Sequence, residues 1–368
     1  MMTRRRFTSL SALAIGSTQL RAQTTPDKPV NYAAVGLGTI SDIFMQACAA
    51  SKTSRVTALV TGHPDTKGRK FAAQYGIPES SIYTYETFDR IRDNKQVDAV
   101  YIGLPNSMHC DFTVRAARAG KHVLCEKPMA ISSAECRQMI AACSAADRRL
   151  MIAYRIQYDP TWAAAAAILR AGDLGRVESF YGGWYTQMPV GQWRLTRALG
   201  GGGSLMDIGI YPLNAIRFLA RTAGLPEPTS FTAQVATTDH DSGRFNEVEQ
   251  SVNWTMKWPS GVLASCGSSY GQRGPGSLEV HAEKGWLRLD PAFYYDGAHL
   301  TGEIRSGASI RKIDVPMTGK PPFQFTLEAD HFSDCIRQNH APASPGEDGL
   351  NDLLAMESIY KAAGTPIA

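Results

Sequence analysis

Between Val30 and Arg155 short apolar runs alternate with amphipathic stretches, and few folds satisfy that alternation. The runs from Tyr32 to Gly38, Arg55 to Gly62, Val97 to Pro105, His122 to Pro128 and Leu150 to Arg155 read as strands. The segments between them, through Met45, Phe71, Val114 and Met139, read as helices. Strand and helix in strict alternation build a doubly wound parallel sheet, because each helix must carry the chain back to the same edge. After Asp159-Pro160 the pattern changes to one Ala-rich helix, Trp162 to Ala171, followed by runs of period two such as Val248, Val252, Trp254 and Met256. Such alternation describes strands with one buried face, so a large, mostly antiparallel open sheet is expected. Helical periodicity returns from Gln324 to Ala363.

The formal net charge of +4 is supplied entirely by Arg4, Arg5, Arg6 and Arg21, which lie in a leader without acidic residues. The remainder is electrically balanced, which gives no footing for nucleic acid or an anionic membrane as partner. Thr3-Arg4-Arg5-Arg6-Phe7-Thr8, followed by a short apolar stretch from Leu10 to Leu20, matches a twin-arginine export signal better than a membrane span or stable anchor. Residues 1–22 are therefore assigned to the leader, with cleavage after Ala22, the export machinery as a partner and the periplasm as destination. Because that route carries folded proteins, a bound nucleotide would be acquired in the cytoplasm. Residues 23–30 form a short arm. The seven cysteines are odd in number and show no paired metal spacing, so buried thiols are expected rather than a disulfide frame or metal site.

Gly36-Leu37-Gly38-Thr39-Ile40-Ser41 closes the first strand and opens the first helix. That is where backbone amides and a helix amino end receive a pyrophosphate, so residues 31–155 read as a Rossmann, dinucleotide-binding domain. The second strand ends Thr61-Gly62-His63 with no acid to bind a ribose 2′-hydroxyl, and Lys67, Arg69 and Lys70 follow. A hydroxyl followed by cations suits a 2′-phosphate, which favours NADP over NAD. The loop Gly103-Leu104-Pro105-Asn106-Ser107-Met108-His109 lies on the ligand-binding edge. Asn106 and His109 there either face the nicotinamide or substrate, or Asn106 or Ser107 caps the next helix.

Two further motifs carry chemistry. Glu126-Lys127-Pro128 puts an ammonium at the end of a strand, either for catalysis or as the ion-pair partner of Glu126. Gly200-Gly201-Gly202-Gly203-Ser204-Leu205-Met206-Asp207-Ile208-Gly209-Ile210-Tyr211 spaces an acid and a phenol at i, i+4, on one face if the segment is helical. Ser204 and Asp207 also fit a helix-capping pattern, and Pro212 would break or kink a helix running through it. Moving a hydride off a carbinol requires moving a proton off its oxygen. Tyr211 can do that, helped by the Lys127 ammonium, with Asp207 orienting hydroxyls.

The motifs VGLG, LPNSMH, KHVLCEKPMA, LMIAYRIQYDP, QWRL, GGGSLMDIGIY and SPGEDGLNDLLAMESIYKAA together resemble the Gfo/Idh/MocA (glucose-fructose oxidoreductase, inositol dehydrogenase, rhizopine-catabolism) superfamily, in its glucose-fructose and aldose-aldose oxidoreductase branch. The resemblance implies Lys127, Asp207 and Tyr211 as catalytic. It implies a nucleotide site drawn from Gly36, Gly38, Thr39, Ile40, Thr61, Gly62, Lys67, Leu104, Pro105, Asn106, His109, Glu126, Lys127, Arg155, Trp193 and Arg194. Sugar contacts would come from Lys127, Arg155, Tyr158, Asp207, Tyr211 and Tyr270, beside Trp193 and Arg194. Residues 156–368 would then bind substrate and pair subunits through the open sheet, giving a homodimer or homotetramer. The implied activity is oxidation of one sugar at C1 and reduction of a second by the same NADP. A long proline-rich arm that helps retain the cofactor in the branch's best-known member has no counterpart here. That leaves open an aldose dehydrogenase with exchangeable cofactor, besides an NAD-dependent glycosidase and a sugar-sensing protein without catalysis.

Overall fold

The computed structural model describes residues 28–317, 319 and 323–367. The leader and the arm up to Asp27 lie outside them. Six strands form the first sheet: β1 (Val30–Val35), β2 (Ser54–Val60), β3 (Ile82–Tyr83), β4 (Ala99–Ile102), β5 (His122–Glu126) and β6 (Leu150–Ala153). Their order is β3-β2-β1-β4-β5-β6, with every pairing parallel. Helices α1 (Thr39–Ala50), α2 (Arg69–Tyr75), α3 (His109–Arg118) and α4 (Ser133–Ala145) make the crossovers. β1 and β4 to β6 are almost wholly buried, as strands covered on both faces must be. The order reverses between β1 and β4, so the loops after these strands open a crevice at the carboxyl edge.

The second half begins with α5 (Pro160–Ala171), capped by the Asp159 side chain, which accepts the Thr161 N–H at 2.8 Å. Next come β7 (Val177–Gln187), α6 (Arg197–Gly200) and α7 (Ile210–Thr222). The remaining strands are β8 (Ser230–Ala236), β9 (Ser251–Lys257), β10 (Leu263–Ser269), β11 (Gly271–Ala282), β12 (Gly285–Leu289), β13 (Leu300–Ser306) and β14 (Ser309–Val315). They form an eight-stranded sheet, β14-β13-β12-β11-β7-β10-β9-β8, antiparallel except where β7 meets β10. In β9, Val252, Trp254 and Met256 point into the core while the residues between them are exposed, as the period-two pattern implies. Helix α7 lies on that inner face, and the Cβ of Pro212 sits where a side chain at Gly182 of β7 would go.

The closing helices depart from the expected boundary. Helix α8 (Phe323–Gln338) packs against α1 of the first half, where Phe332 joins Tyr32 and Phe44 and Ser333 Oγ lies 2.8 Å from Tyr32 Oη. Helix α9 (Gly346–Ala362) lies against α4 and β6, preceded by the Ile152 N–H bonding to Ser344 O at 2.9 Å. The tail helices thus pack on the helices and sheet of the first half, and α9 also meets β8 of the second sheet. All seven cysteines are buried and unpaired.

A charged cluster ties α7 to α9. The Arg217 guanidinium, 2% exposed, pairs with Asp352, with Asp348 at 3.5 Å and with Glu227 at 2.7 Å. Tyr154 Oη also donates to Asp352, and Asn214 Nδ2 does so at 2.9 Å. Removing one partner of a buried pair leaves the other charge uncompensated. Arg217→Ala should therefore cost about 3–5 kcal/mol of stability, read from the urea midpoint. A loss below about 1 kcal/mol, the range of exposed pairs, would show that the cluster does not hold the helices together.

Candidate active site

Gly36 turns the chain at the end of β1 with φ +83°, a conformation that favours glycine, and a Cβ there would lie 2.5 Å from Gly103 O. The two loops of the crevice thus touch backbone to backbone. Ser41, the third small residue of the motif, is fully buried, and its Oγ lies where a Cβ on Gly103 would go. Gly38 and Thr39 are exposed at the start of α1, which has no side-chain cap, and Ile40 is half-buried beside them. A glycine cradle that a Cβ would fill and a helix amino end without a side-chain acceptor fit a pyrophosphate.

At the end of β2, Thr61 is buried and its hydroxyl accepts the His63 N–H at 3.1 Å, which leaves its O–H as a donor. Gly62 is exposed and packed close to Tyr85, and Lys67 is an exposed cation of the following π-helical turn. Asp65 pairs with Arg69 at 3.3 Å.

The loop after β4 is a structural joint. Asn106 does not cap α3. It is 4% exposed, and its Nδ2 donates to Gly200 O at 2.9 Å, joining the two halves. His109 is also buried, with one ring nitrogen 2.9 Å from Pro128 O and the other 2.9 Å from Leu104 O. Burial lowers the basicity of its ring, with the Lys127 charge acting in the same direction. Leu104 belongs to the core and Pro105 starts the short helix behind it. Buried polar side chains must find partners, and these two find backbone carbonyls.

Lys127, just beyond β5, does not pair with Glu126, whose Oε1 accepts the Tyr101 hydroxyl at 2.6 Å within the sheet. Lys127 reaches across to the second half instead. Its Nζ donates to the Asp207 carbonyl at 2.7 Å, lies 3.5 Å from Asp207 Oδ1 and stands 4.5 Å from the centre of the Tyr211 ring. Asp207 sits in a π-helical turn, Leu205–Gly209, that continues into α7. In its i→i+5 register the amide facing the Asp207 carbonyl would be that of Pro212, which has no N–H. Lys127 occupies the place of that missing donor.

On the other side, Asp207 Oδ2 accepts the Tyr270 hydroxyl at 2.9 Å and lies 3.1 Å from Arg194 Nε. Burial pushes the Asp207 carboxyl up, but Lys127, Arg194 and the Tyr270 hydroxyl outweigh it and hold the group below the usual carboxylate range. The Arg194 guanidinium also stacks on Trp193, with Cζ 4.3 Å from the ring centre. Tyr211 is half-buried, edge-on to Trp184 with ring centres 4.5 Å apart.

Three further residues expected to touch the sugar have these surroundings. Tyr158 lies away from Asp207 and Tyr211: its hydroxyl is 3.0 Å from Ser344 Oγ and its ring packs on His331. Tyr270 is fully buried, and its hydroxyl donates to Asp207 Oδ2. Arg155 is 3% exposed and clamps the segment after β12, donating to Phe293 O at 2.5 Å, Tyr294 O at 3.3 Å and Gln324 Oε1 at 2.7 Å. Its Cζ is 5.0 Å from the Tyr211 ring centre and 4.6 Å from that of Tyr295. Trp184, Tyr295 and Glu249 were absent from the sequence reading. Only the aromatic triplet Phe293-Tyr294-Tyr295 carried a visible signal.

A six-stranded parallel sheet with a glycine cradle, joined to an open sheet that lends an acid and a phenol to a lysine at the crevice, defines a two-domain nicotinamide-dependent oxidoreductase. Residues 30–154 match the model of the oxidoreductase family with an NAD-binding Rossmann fold (GFO_IDH_MocA), and residues 162–288 match its C-terminal domain. The D-xylose 1-dehydrogenase [NADP(+)] of Haloarcula marismortui is 31% identical, over 93% of this chain and 93% of its own. A crystal structure of aldose-aldose oxidoreductase from Caulobacter crescentus is 44% identical, with TM-score 0.85 over 92% of this chain and 98% of that one. Levoglucosan dehydrogenase with NADH shares the fold at 20% identity and TM-score 0.80, over 93% of this chain and 100% of that chain. The chain belongs to the Gfo/Idh/MocA oxidoreductase family.

Proposed function

We propose that the protein is an NADP-dependent sugar oxidoreductase that oxidises an aldose at C1 to the lactone and reduces a second sugar with the same bound cofactor. The observation that carries it is the meeting of Lys127, Asp207 and Tyr211 at the carboxyl edge of the nucleotide sheet. NADP would be held by the turn at Gly36 to Ile40 and by Lys67, and would supply the hydride acceptor. Tyr211 takes the proton of the C1 hydroxyl as hydride leaves C1, and returns a proton to the second sugar's oxygen when the hydride comes back. Lys127 favours the negative charge that forms on the phenol, and ionised Asp207 accepts a hydrogen bond from a sugar hydroxyl. Trp193 offers a flat face to the sugar ring. The 44% identity to an aldose-aldose oxidoreductase supports the two-sugar cycle, and the NADP dependence of the xylose dehydrogenase supports the nucleotide.

The second reading, an aldose dehydrogenase with exchangeable cofactor, is favoured by that same relative. Protein purified without added nucleotide should show reduced nicotinamide absorbance rising by one equivalent with an aldose and falling with a second sugar. Continuous turnover only on added NADP would establish the second reading. In either case Tyr211→Phe should lower turnover by about two to four orders of magnitude with nucleotide still bound. Near-normal turnover would remove Tyr211 from the chemistry.

Export and assembly complete the proposal. The Thr3 to Thr8 motif supports delivery to the periplasm, and Arg4→Lys with Arg5→Lys should leave the protein in the cytoplasm on cell fractionation. Periplasmic recovery of that variant would refute the route. The outer face of the second sheet, where exposed Tyr181 lines a concavity of about 590 Å³ together with Tyr185, Thr232 and Thr255, supports pairing with a second copy. Light scattering at micromolar concentration should give a dimer or tetramer, and a monomer would refute the pairing.

A further inference from the structure

Asp207 and Tyr211 ride on a helix start whose first amides need acceptors. Ser204 is in sequence position to cap it, yet its hydroxyl lies 3.1 Å from Ser268 Oγ instead. Glu249, just ahead of β9, fills the position. Its Oε2 accepts the Gly203 N–H at 2.8 Å, and its Oε1 accepts the Leu205 N–H at 3.0 Å. Its backbone carbonyl accepts the Ser204 N–H at 3.4 Å. Tyr360 of α9 holds the carboxylate in turn, donating its hydroxyl to Oε1 at 2.8 Å. Negative charge at a helix amino end is also favoured by the helix dipole.

The approach is close enough to dictate the sequence beside it. A Cβ on residue 203 would lie 2.1 Å from Glu249 O, and one on residue 202 would lie 2.4 Å from Tyr360 Oη. In a Ser-x-x-Asp cap the Asp207 carboxylate would turn back to the helix start. With Glu249 there, Asp207 Oδ1 faces Lys127 and Oδ2 faces Tyr270 and Arg194.

We propose that Glu249 is a positioning residue: it caps this helix in place of Asp207 and thereby fixes the Asp207 carboxylate and Tyr211 phenol against Lys127. The role rests on the assignment of Asp207 and Tyr211 to the chemistry proposed above. The test compares Glu249→Ala and Glu249→Gln with the wild type in kcat per folded molecule, KM for an aldose, NADP affinity and Tm. Glu249→Ala should lose about ten- to a hundredfold in kcat, the scale of a small misplacement of reacting groups. NADP affinity should stay within about twofold, because only interactions of the reacting step are disturbed. Glu249→Gln should fall between, since its one carbonyl oxygen can accept one of the two amides. Unchanged kcat in both variants overturns the proposal. So does a fall of kcat and NADP affinity with a rise of KM, all in step with a falling Tm, which marks general loosening. If Glu249→Ala does not fold, Glu249→Gln decides by the same outcomes. A wild type that turns over no aldose refutes the parent reading, whereas an active wild type with indifferent Glu249 variants refutes this role alone.

Discussion

The Asp207 carboxylate is held mostly out of water between charges from both halves of the chain, and the site depends on that arrangement. A buried carboxylate is costly unless paired and hydrogen-bonded. Lys127 comes from the parallel sheet, Arg194 from the segment after β7 and Tyr270 from the junction of β10 and β11. Removing any one of them leaves the carboxylate short of compensation. The interaction therefore fixes the relative position of the two halves as well as the protonation state of the acid.

Other contacts across the same seam reinforce it with backbone groups. Asn106 bonds to Gly200, Arg155 bonds to the carbonyls of Phe293 and Tyr294, and α8 and α9 lie back on the first sheet. Such joints use short polar side chains and buried guanidinium groups, whose geometry tolerates little movement. The nucleotide crevice and the acid-phenol pair thus belong to one rigid framework. Pro212 contributes as well, since it has no N–H to offer the Asp207 carbonyl in the i→i+5 register of the π-helical turn, and Lys127 donates to that carbonyl instead.

Helix α7 is the element on which most of these constraints meet. Its start carries Asp207 and Tyr211, its middle carries Asn214 and Arg217, and its face packs under the second sheet. Glu249 holds one end through two amides while Asp348 and Asp352 hold the middle through Arg217. A helix anchored at both places presents its phenol at a fixed height above the lysine, which an acid-base group needs in order to act on a single oxygen.

Much of the architecture was legible in the sequence, because local periodicity records which faces are buried. The alternation from Val30 to Arg155 specified the parallel sheet, Gly36 and Gly38 specified the turn at its switch point, and Val252, Trp254 and Met256 specified a strand with one buried face. Lys127, Asp207 and Tyr211 were legible as well, since their chemistry is unusual at such positions. What sequence spacing could not decide is which polar side chain meets which partner. His109 and Asn106, on the ligand-binding edge in the sequence, also bond to backbone carbonyls in the fold. Arg155 bonds to the Phe293 and Tyr294 carbonyls beside the Tyr211 ring, and the Tyr158 hydroxyl lies near Ser344. Glu249 belongs to no motif, yet it occupies the cap that Ser204 and Asp207 seemed to offer. Hydrogen bonds between residues far apart in the chain depend on how the sheets pack. Local pattern determined the elements of this protein, and only their tertiary packing determined which of its polar groups remain free to do chemistry.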